Sequence, residues 1–244
     1  EAGTFPKVLA REMGALGLLG MHLDGYGCAG TNAVSYGLAC TELEAGDSGV
    51  RSFVSVQGSL AMYPIWAFGS EEQKQRWLPP MAAGDTIGCF GLTEADAGSD
   101  PGSMKTRAER DGEDYVINGD KKWNTNGAVA SFNTVFAVTN PERGARGISA
   151  FVVEDGTEGY RVGKHEDKMG IRAVPVVEIH LENCRVPAAN LLGETEGQGF
   201  KQAMITLDRA RPGVAAQAVG LAQGALDLAI EYTREREQFG QSVS

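Results

Sequence analysis

The sequence predicts an α+β fold in which helical, β and again helical texture follow one another along the chain. Three observations predict it. Apolar residues recur at helical spacing over 1–86. Short β-branched or aromatic runs between turn residues fill 87–195. Helical spacing returns over 196–244. Strands segregated from helices in this way suit an antiparallel sheet or small barrel rather than alternating βαβ units.

In the first part, Leu9, Met13 and Leu16 stand at i, i+4 and i+7 and predict a helix. Asn32 to Glu44 predicts a second, with Ala33, Tyr36 and Ala39–Cys40 on one side. Ser70-Glu71-Glu72-Gln73 is a capping box for a short helix through Trp77, which Pro79-Pro80 is expected to stop. Gly25-Tyr26-Gly27-Cys28-Ala29-Gly30 fits a GxGxxG pattern. A dinucleotide site needs a buried strand just before that pattern and a parallel sheet around it. Lys7 to Leu16 reads as helix instead, and no second βαβ unit follows. A loop between two helices is expected.

The middle part reads as strands at Tyr115–Ile117, Thr134–Val138, Ile148–Val153 and Val176–Leu181. Asp111-Gly112, Asn118-Gly119, Asn140-Pro141, Gly156 and Gly163 mark turns between them. In the last part Phe200, Met204 and Leu207 share a helical face. Val214 to Arg236, rich in Ala and Leu and without Pro, predicts one long helix.

Composition narrows the function. The 244 residues are 42% hydrophobic, ample for a core, and carry a net charge of −10. That charge argues against nucleic acid or an anionic membrane surface as the main partner, while leaving room for a small anionic ligand held by local donors. Cys28, Cys40, Cys89 and Cys184 form no CxxC pair, and His22, His165 and His180 show no ligand spacing. Reduced thiols and no metal site are expected. No apolar run approaches the ~18 residues of a membrane span, and no signal-like segment opens the chain. The pattern is already under way at Glu1 and stops at Ser244, so a piece of a longer protein is expected.

Two segments carry the chemistry. Cys89-Phe90-Gly91-Leu92-Thr93-Glu94-Ala95-Asp96-Ala97-Gly98-Ser99-Asp100 holds small residues and hydroxyls, so its backbone can approach a ligand closely. Asn118 to Gly127 places Trp123 among polar residues, where it can lie against a flat cofactor. With residues 163–173, 185–194, 199–223 and 234–241, in this order, they make the chain resemble the acyl-CoA dehydrogenases along nearly its whole length.

The resemblance implies an N-terminal helical domain over 1–86, a middle β domain over 87–195 and the first helices of a C-terminal four-helix domain over 196–244. It implies FAD as cofactor and α,β-desaturation of an acyl-CoA thioester as the reaction. Phe90, Leu92, Thr93, Gly98 and Ser99 match the segment contacting flavin and acyl-CoA. Trp123, Asn124 and Thr125 match the segment on the other side of the ring. Arg236, Gln238 and Phe239 match residues that reach FAD bound by a neighbouring subunit, so a dimer or tetramer is expected. Asp208 and Arg211 match positions near CoA. The family usually has Ile where this chain has Asn124, and often Ser and Thr where it has Val174-Pro175.

The family's catalytic Glu is expected beyond residue 244. In a minority it stands at a position occupied here by Ala210. The chain as given is therefore expected to be inactive alone. Residues 25–65 and 69–79 look closest to the glutaryl-CoA dehydrogenase branch. There Arg51 and Ser55 match residues that hold the substrate's distal carboxylate, and Glu44 matches a pocket residue. From about residue 104 the chain looks more like the short- and medium-chain enzymes. Glutaryl-CoA is the favoured substrate, with a short straight-chain acyl-CoA or a non-catalytic flavin/CoA-binding module as alternatives. Electron-transfer flavoprotein is the implied acceptor. The implied compartment is the cytoplasm in a bacterium or the mitochondrial matrix in a eukaryote.

Overall fold

The computed structural model describes residues 5–244. Five helices come first: α1 (Val8–Ala15), α2 (Ala33–Gly46), α3 (Ser48–Ser55), α4 (Tyr63–Phe68) and α5 (Glu71–Ala82). Local chemistry sets their starts. Asn32 Oδ1 accepts the Ser35 N–H at 2.9 Å to open α2, and Asp47 Oδ1 accepts the Val50 N–H at 2.9 Å to open α3. Between α3 and α4 the helical path widens into π-type turns over Val56–Met62. The segment Gly25–Gly30 is the loop expected between α1 and α2, and since a helix rather than a strand precedes it, the dinucleotide motif is ruled out.

The capping box at Ser70–Gln73 is present in both directions. Gln73 also donates to the carbonyls of Ala189 and Leu191 at 2.8 and 2.9 Å, tying α5 to the chain beyond the sheet. Pro79-Pro80 does not stop this helix, as the sequence led us to expect; α5 runs through both to Ala82. Two missing N–H groups remove two intrahelical bonds. Burial of Trp77, Leu78, Met81 and Ala82 on the other side of that loss keeps the helix going.

Seven strands form one sheet: β1 (Gly88–Gly91), β2 (Arg107–Asp111), β3 (Asp114–Thr125), β4 (Phe132–Val138), β5 (Ile148–Glu154), β6 (Tyr160–His165) and β7 (Val176–Pro187). The order is β1-β4-β2-β3-β7-β6, with β5 on β4. The sheet is antiparallel as expected, except where β4 runs parallel to β1 and touches β2 in parallel at Arg107–Val138. β4 and β5 are buried on both faces and show no alternation of burial along the strand. Phe132, Phe136, Ile148, Ala150 and Val152 pack with the helices. Val135, Ala137, Phe151 and Val153 pack with Val177 and Ile179 of β7 in a second apolar cluster.

The last long element, α6 (Gly199–Glu235), joins the two helical stretches read from the sequence into one helix of 37 residues that passes through Pro212. It packs against α2 at very short range. A Cβ on Gly220 would lie 2.3 Å from the Thr41 carbonyl oxygen, so only glycine lets the helices approach this closely. By length and composition α6 could cross a membrane, contrary to the expectation that no segment could. A helix with one face on α2 and exposed apolar residues at Val219, Leu226 and Ile230 meets the same test. A two-strand hairpin, β8 (Glu237–Gln238) and β9 (Gln241–Ser242), follows it.

Candidate functional site

The chain leaves β1 at Gly91 and makes a tight turn in which Glu94 and Ala97 exchange backbone hydrogen bonds at 3.1 and 3.3 Å. That turn faces β3, and the Lys122 N–H donates to the Thr93 carbonyl at 2.8 Å across the gap. β3 carries a bulge here: its pairing with β7 passes from Lys121–Ile179 to Asn124–Val177, so Lys122 and Trp123 together oppose Glu178. Trp123 takes a left-handed backbone, φ 56°, and remains 61% exposed. A bulky residue held at positive φ is a strained arrangement that persists only where its surroundings impose it.

Between the turn and the bulge lies a cavity of about 340 Å³. Phe90, Leu92, Thr93, Gly98 and Ser99 line it from the β1 side, and Trp123 and Thr125 line it from β3. Arg211, Met204 and Leu207 close it from α6, and Val56 and Leu60 close it from the π-type turns. Seven of the eight cofactor residues expected from these two segments thus come together from two separate parts of the sequence. Asn124 does not join them. Its side chain is fully buried away from the cavity, where Nδ2 donates to the Val177 carbonyl at 3.1 Å and Oδ1 accepts from Asn133 at 3.2 Å. The bulge is the reason. The extra residue at Lys122–Trp123 reverses the facing of the strand from Trp123 onward, which brings Trp123 and Thr125 to the cavity and turns Asn124 inward.

A second cavity of about 310 Å³ adjoins the first and shares Val56, Leu60 and Thr125 with it. Arg51, Ser52, Ser55, Lys168, Ala210 and Val214 line it. Arg51 is buried, 4% exposed, and its Nε donates to Glu44 Oε2 at 2.9 Å. Glu44 is itself 2% exposed and does not line this cavity; it faces Arg51 from α2, and Ser48 donates to its other oxygen. Lys168 Nζ donates to the Val174 carbonyl at 2.7 Å, and burial lowers its pKa.

Asp208 pairs with Arg211 on exposed α6 surface and lines neither cavity. The hairpin residues stay apart as well. Arg236 Nη1 donates to the Tyr232 hydroxyl at 3.0 Å, Gln238 is exposed and Phe239 is fully exposed, all of them outside both cavities. Among the described residues no Asp or Glu lines either cavity.

Sequence reasoning missed Val56 and Leu60, because no periodicity announces a π-type turn, and Lys122, which strand alternation with the buried Lys121 turns toward the cavity. Met204 and Leu207 were visible as a helical face, without any sign of what they faced.

The donor set suits a flavin. Trp123 offers a flat wall, and the Thr93, Ser99 and Thr125 hydroxyls have no intramolecular side-chain partner among the described residues. At Gly98 a Cβ would meet nothing closer than 3.9 Å, so the backbone there borders open space. Arg211 and Lys122 supply positive charge at the rim.

Comparison with known proteins agrees across the chain. The acyl-CoA dehydrogenase N-terminal, middle and C-terminal domain models match residues 1–85, 89–184 and 197–244. The chain belongs to the acyl-CoA dehydrogenase family. A short-chain specific acyl-CoA dehydrogenase of Megasphaera elsdenii is 46% identical over 246 residues, covering 99% of this chain and 64% of the relative. Among solved structures, a glutaryl-CoA dehydrogenase from Mycobacterium smegmatis in complex with FADH2 is 52% identical with a TM-score of 0.93, over 100% of this chain and 61% of that one. A chain from the structure described as the electron transferring flavoprotein of Acidaminococcus fermentans is 47% identical with a TM-score of 0.96, over 100% of this chain and 64% of that one. The chain thus spans about three fifths of the length of its acyl-CoA dehydrogenase relatives.

Proposed function

We propose that the full-length protein is an FAD-dependent dehydrogenase that desaturates an acyl-CoA thioester between Cα and Cβ. The observation that carries this reading is the first cavity, walled on one side by Leu92–Ser99 and on the other by Trp123 and Thr125. FAD held there would supply the acceptor for the hydride that leaves Cβ. Trp123 would cover one face of the ring, and Thr93, Ser99 and Thr125 would hold its polar edge. Arg211 at the rim, tethered by Asp208, suits a CoA phosphate. Removal of the α-proton requires a carboxylate. With none among the described cavity residues, that base comes from another part of the full-length protein, and this chain by itself would bind rather than catalyse.

The second cavity favours a dicarboxylic substrate, with glutaryl-CoA and its oxidative decarboxylation as the specific reading. An acyl chain crossing Thr125 from the first cavity would bring a distal carboxylate to Arg51 and Ser55. One observation favours a short straight-chain acyl-CoA instead. Glu44 already neutralises Arg51, which weakens its pull on a second carboxylate. The exposed hairpin with Arg236, Gln238 and Phe239 suits contact with a neighbouring subunit's FAD, in a dimer or tetramer. Electron-transfer flavoprotein is the proposed acceptor.

The full-length protein should purify yellow or turn yellow on incubation with FAD. It should sediment as a dimer or larger and release flavin on denaturation. A colourless protein that takes up no FAD would end this reading. A monomer that retains FAD would end the shared-site part of it.

A further inference from the structure

We infer that the buried Glu94–Lys121 ion pair is a positioning device that fixes the two walls of the first cavity against each other. The inference rests on the flavin reading above. Lys121 lies on β3 just before Lys122 and Trp123, and its side chain is 0% exposed. Glu94 directly follows Thr93 and opens the turn that presents Gly98 and Ser99. Neither member of the pair lines the cavity.

The bonds radiating from the pair reach the chain on both sides of the β1 turn. Lys121 Nζ donates to Glu94 Oε1 at 2.8 Å and to the Leu92 carbonyl at 3.3 Å, and lies 3.9 Å from Met104 Sδ. Glu94 Oε2 accepts the Lys105 N–H at 2.6 Å, and Oε1 accepts the Thr106 N–H at 3.0 Å. One carboxylate thus holds the segment after the turn while one ammonium holds the segment before it. Glu94 is the one charged group facing Lys121 among the described residues. The ammonium of Lys105 turns away to Asp96 at 3.0 Å, and that of Lys122 pairs with Glu178.

Stability alone is a weak reason for such a pair. Replacing a buried ion pair by neutral groups is often neutral or stabilising, because desolvation offsets the attraction. What a neutral replacement does not reproduce is the set of directions. Without the ammonium, the Leu92 carbonyl and the Glu94 carboxylate lose their side-chain tether to the strand that carries Trp123, and the Lys122 N–H on the Thr93 carbonyl is left to hold the turn there.

The test uses the full-length protein, its Lys121→Met variant and the Glu94→Gln/Lys121→Met double variant. For each, FAD affinity, the fluorescence of bound flavin at saturation and thermal unfolding are measured. The double variant should unfold close to wild type, bind FAD about tenfold or more weakly and fluoresce more strongly, because Trp123 no longer sits firmly on the ring. A double variant with wild-type FAD affinity and fluorescence overturns the inference.

If Lys121→Met does not fold, wild type alone decides. Burial lowers the Lys121 pKa to about 8, against the attraction of Glu94. Lys121 therefore loses its proton in the folded protein well below the ~10.4 of a free lysine. A folded pKa below the unfolded one means that this titration by itself raises folding stability as pH climbs. FAD affinity should nevertheless fall between about pH 7 and pH 9, the opposite direction from the fold. Affinity that stays flat while NMR of the Lys121 side chain shows it losing its proton overturns the inference. A wild-type protein that takes up no FAD at any pH overturns the flavin reading and this inference together, which distinguishes the two failures.

Discussion

Arg51 is the residue on which the substrate reading turns, and removing its charge separates two effects that a single substitution would mix. Its guanidinium is buried at 4% exposure and its Nε holds Glu44, itself 2% exposed, at 2.9 Å. Arg51→Met alone strands the Glu44 carboxylate with Ser48 as its remaining donor. Breaking a buried pair from one side costs about 3–5 kcal/mol of folding stability. Glu44→Gln/Arg51→Met removes both charges, so the double variant should recover most of that loss. Its effect on substrates is then readable. A distal carboxylate that loses a buried charge-assisted partner loses about 2–5 kcal/mol, roughly 30- to several-thousand-fold in kcat/KM. The assay is kcat/KM of the full-length double variant on glutaryl-CoA and on butyryl-CoA. The ratio of the two is insensitive to the folded fraction of the preparation. Glutaryl-CoA should lose by that factor while butyryl-CoA changes little. Equal losses on both would make Arg51 a structural residue and the short-chain reading the better one.

Three further outcomes follow from particular residues. Trp123→Ala removes the exposed wall of the first cavity and should weaken FAD by about 1–3 kcal/mol, about 5- to 150-fold in Kd, measured by fluorescence titration; unchanged affinity would place the ring elsewhere. Burial, with Arg209 nearby, lowers the His22 pKa to about 4. Because that lies below the ~6.5 of an unfolded His, its contribution to stability is present above pH ~6.5 and is lost as pH falls toward 4. His22→Gln should therefore shrink the stability difference between about pH 7 and pH 4.5 by roughly 2–3 kcal/mol in urea unfolding. Gly84 has φ +78°, and a Cβ there would lie 2.1 Å from the Ala10 carbonyl oxygen. Gly84→Ala should cost at least ~2 kcal/mol, a Tm drop of about 4 °C or more by calorimetry; an unchanged Tm would mean that α1 shifts freely.

Local chemistry made the helix starts legible. Asn32 and the Ser70–Gln73 box are satisfied within four residues, so the sequence holds both partners of each bond. The Gly25–Gly30 loop was legible for a similar reason, since a motif is excluded by what flanks it. Helix ends at proline were not legible, because Pro79, Pro80 and Pro212 are tolerated through packing of distant elements. The same distinction governs the site. The β1 turn and the Trp123 segment could be read from residue types, but the bulge opposite Glu178 depends on β7 and on register. That is why Asn124, expected at the flavin, is instead buried behind the cavity wall. The Arg51–Glu44 contact brings together residues seven apart on separate helices, which helical spacing alone does not reveal.

Reduction of bound flavin by substrate under anaerobic conditions tests the central claim most directly. The full-length protein is loaded with FAD, and glutaryl-CoA or butyryl-CoA is added without an electron acceptor. The account predicts that the flavin's long-wavelength visible band bleaches on mixing and that the enoyl product appears in proportion. A protein that binds FAD stoichiometrically, yet whose visible band stays unchanged with both thioesters, would contradict it.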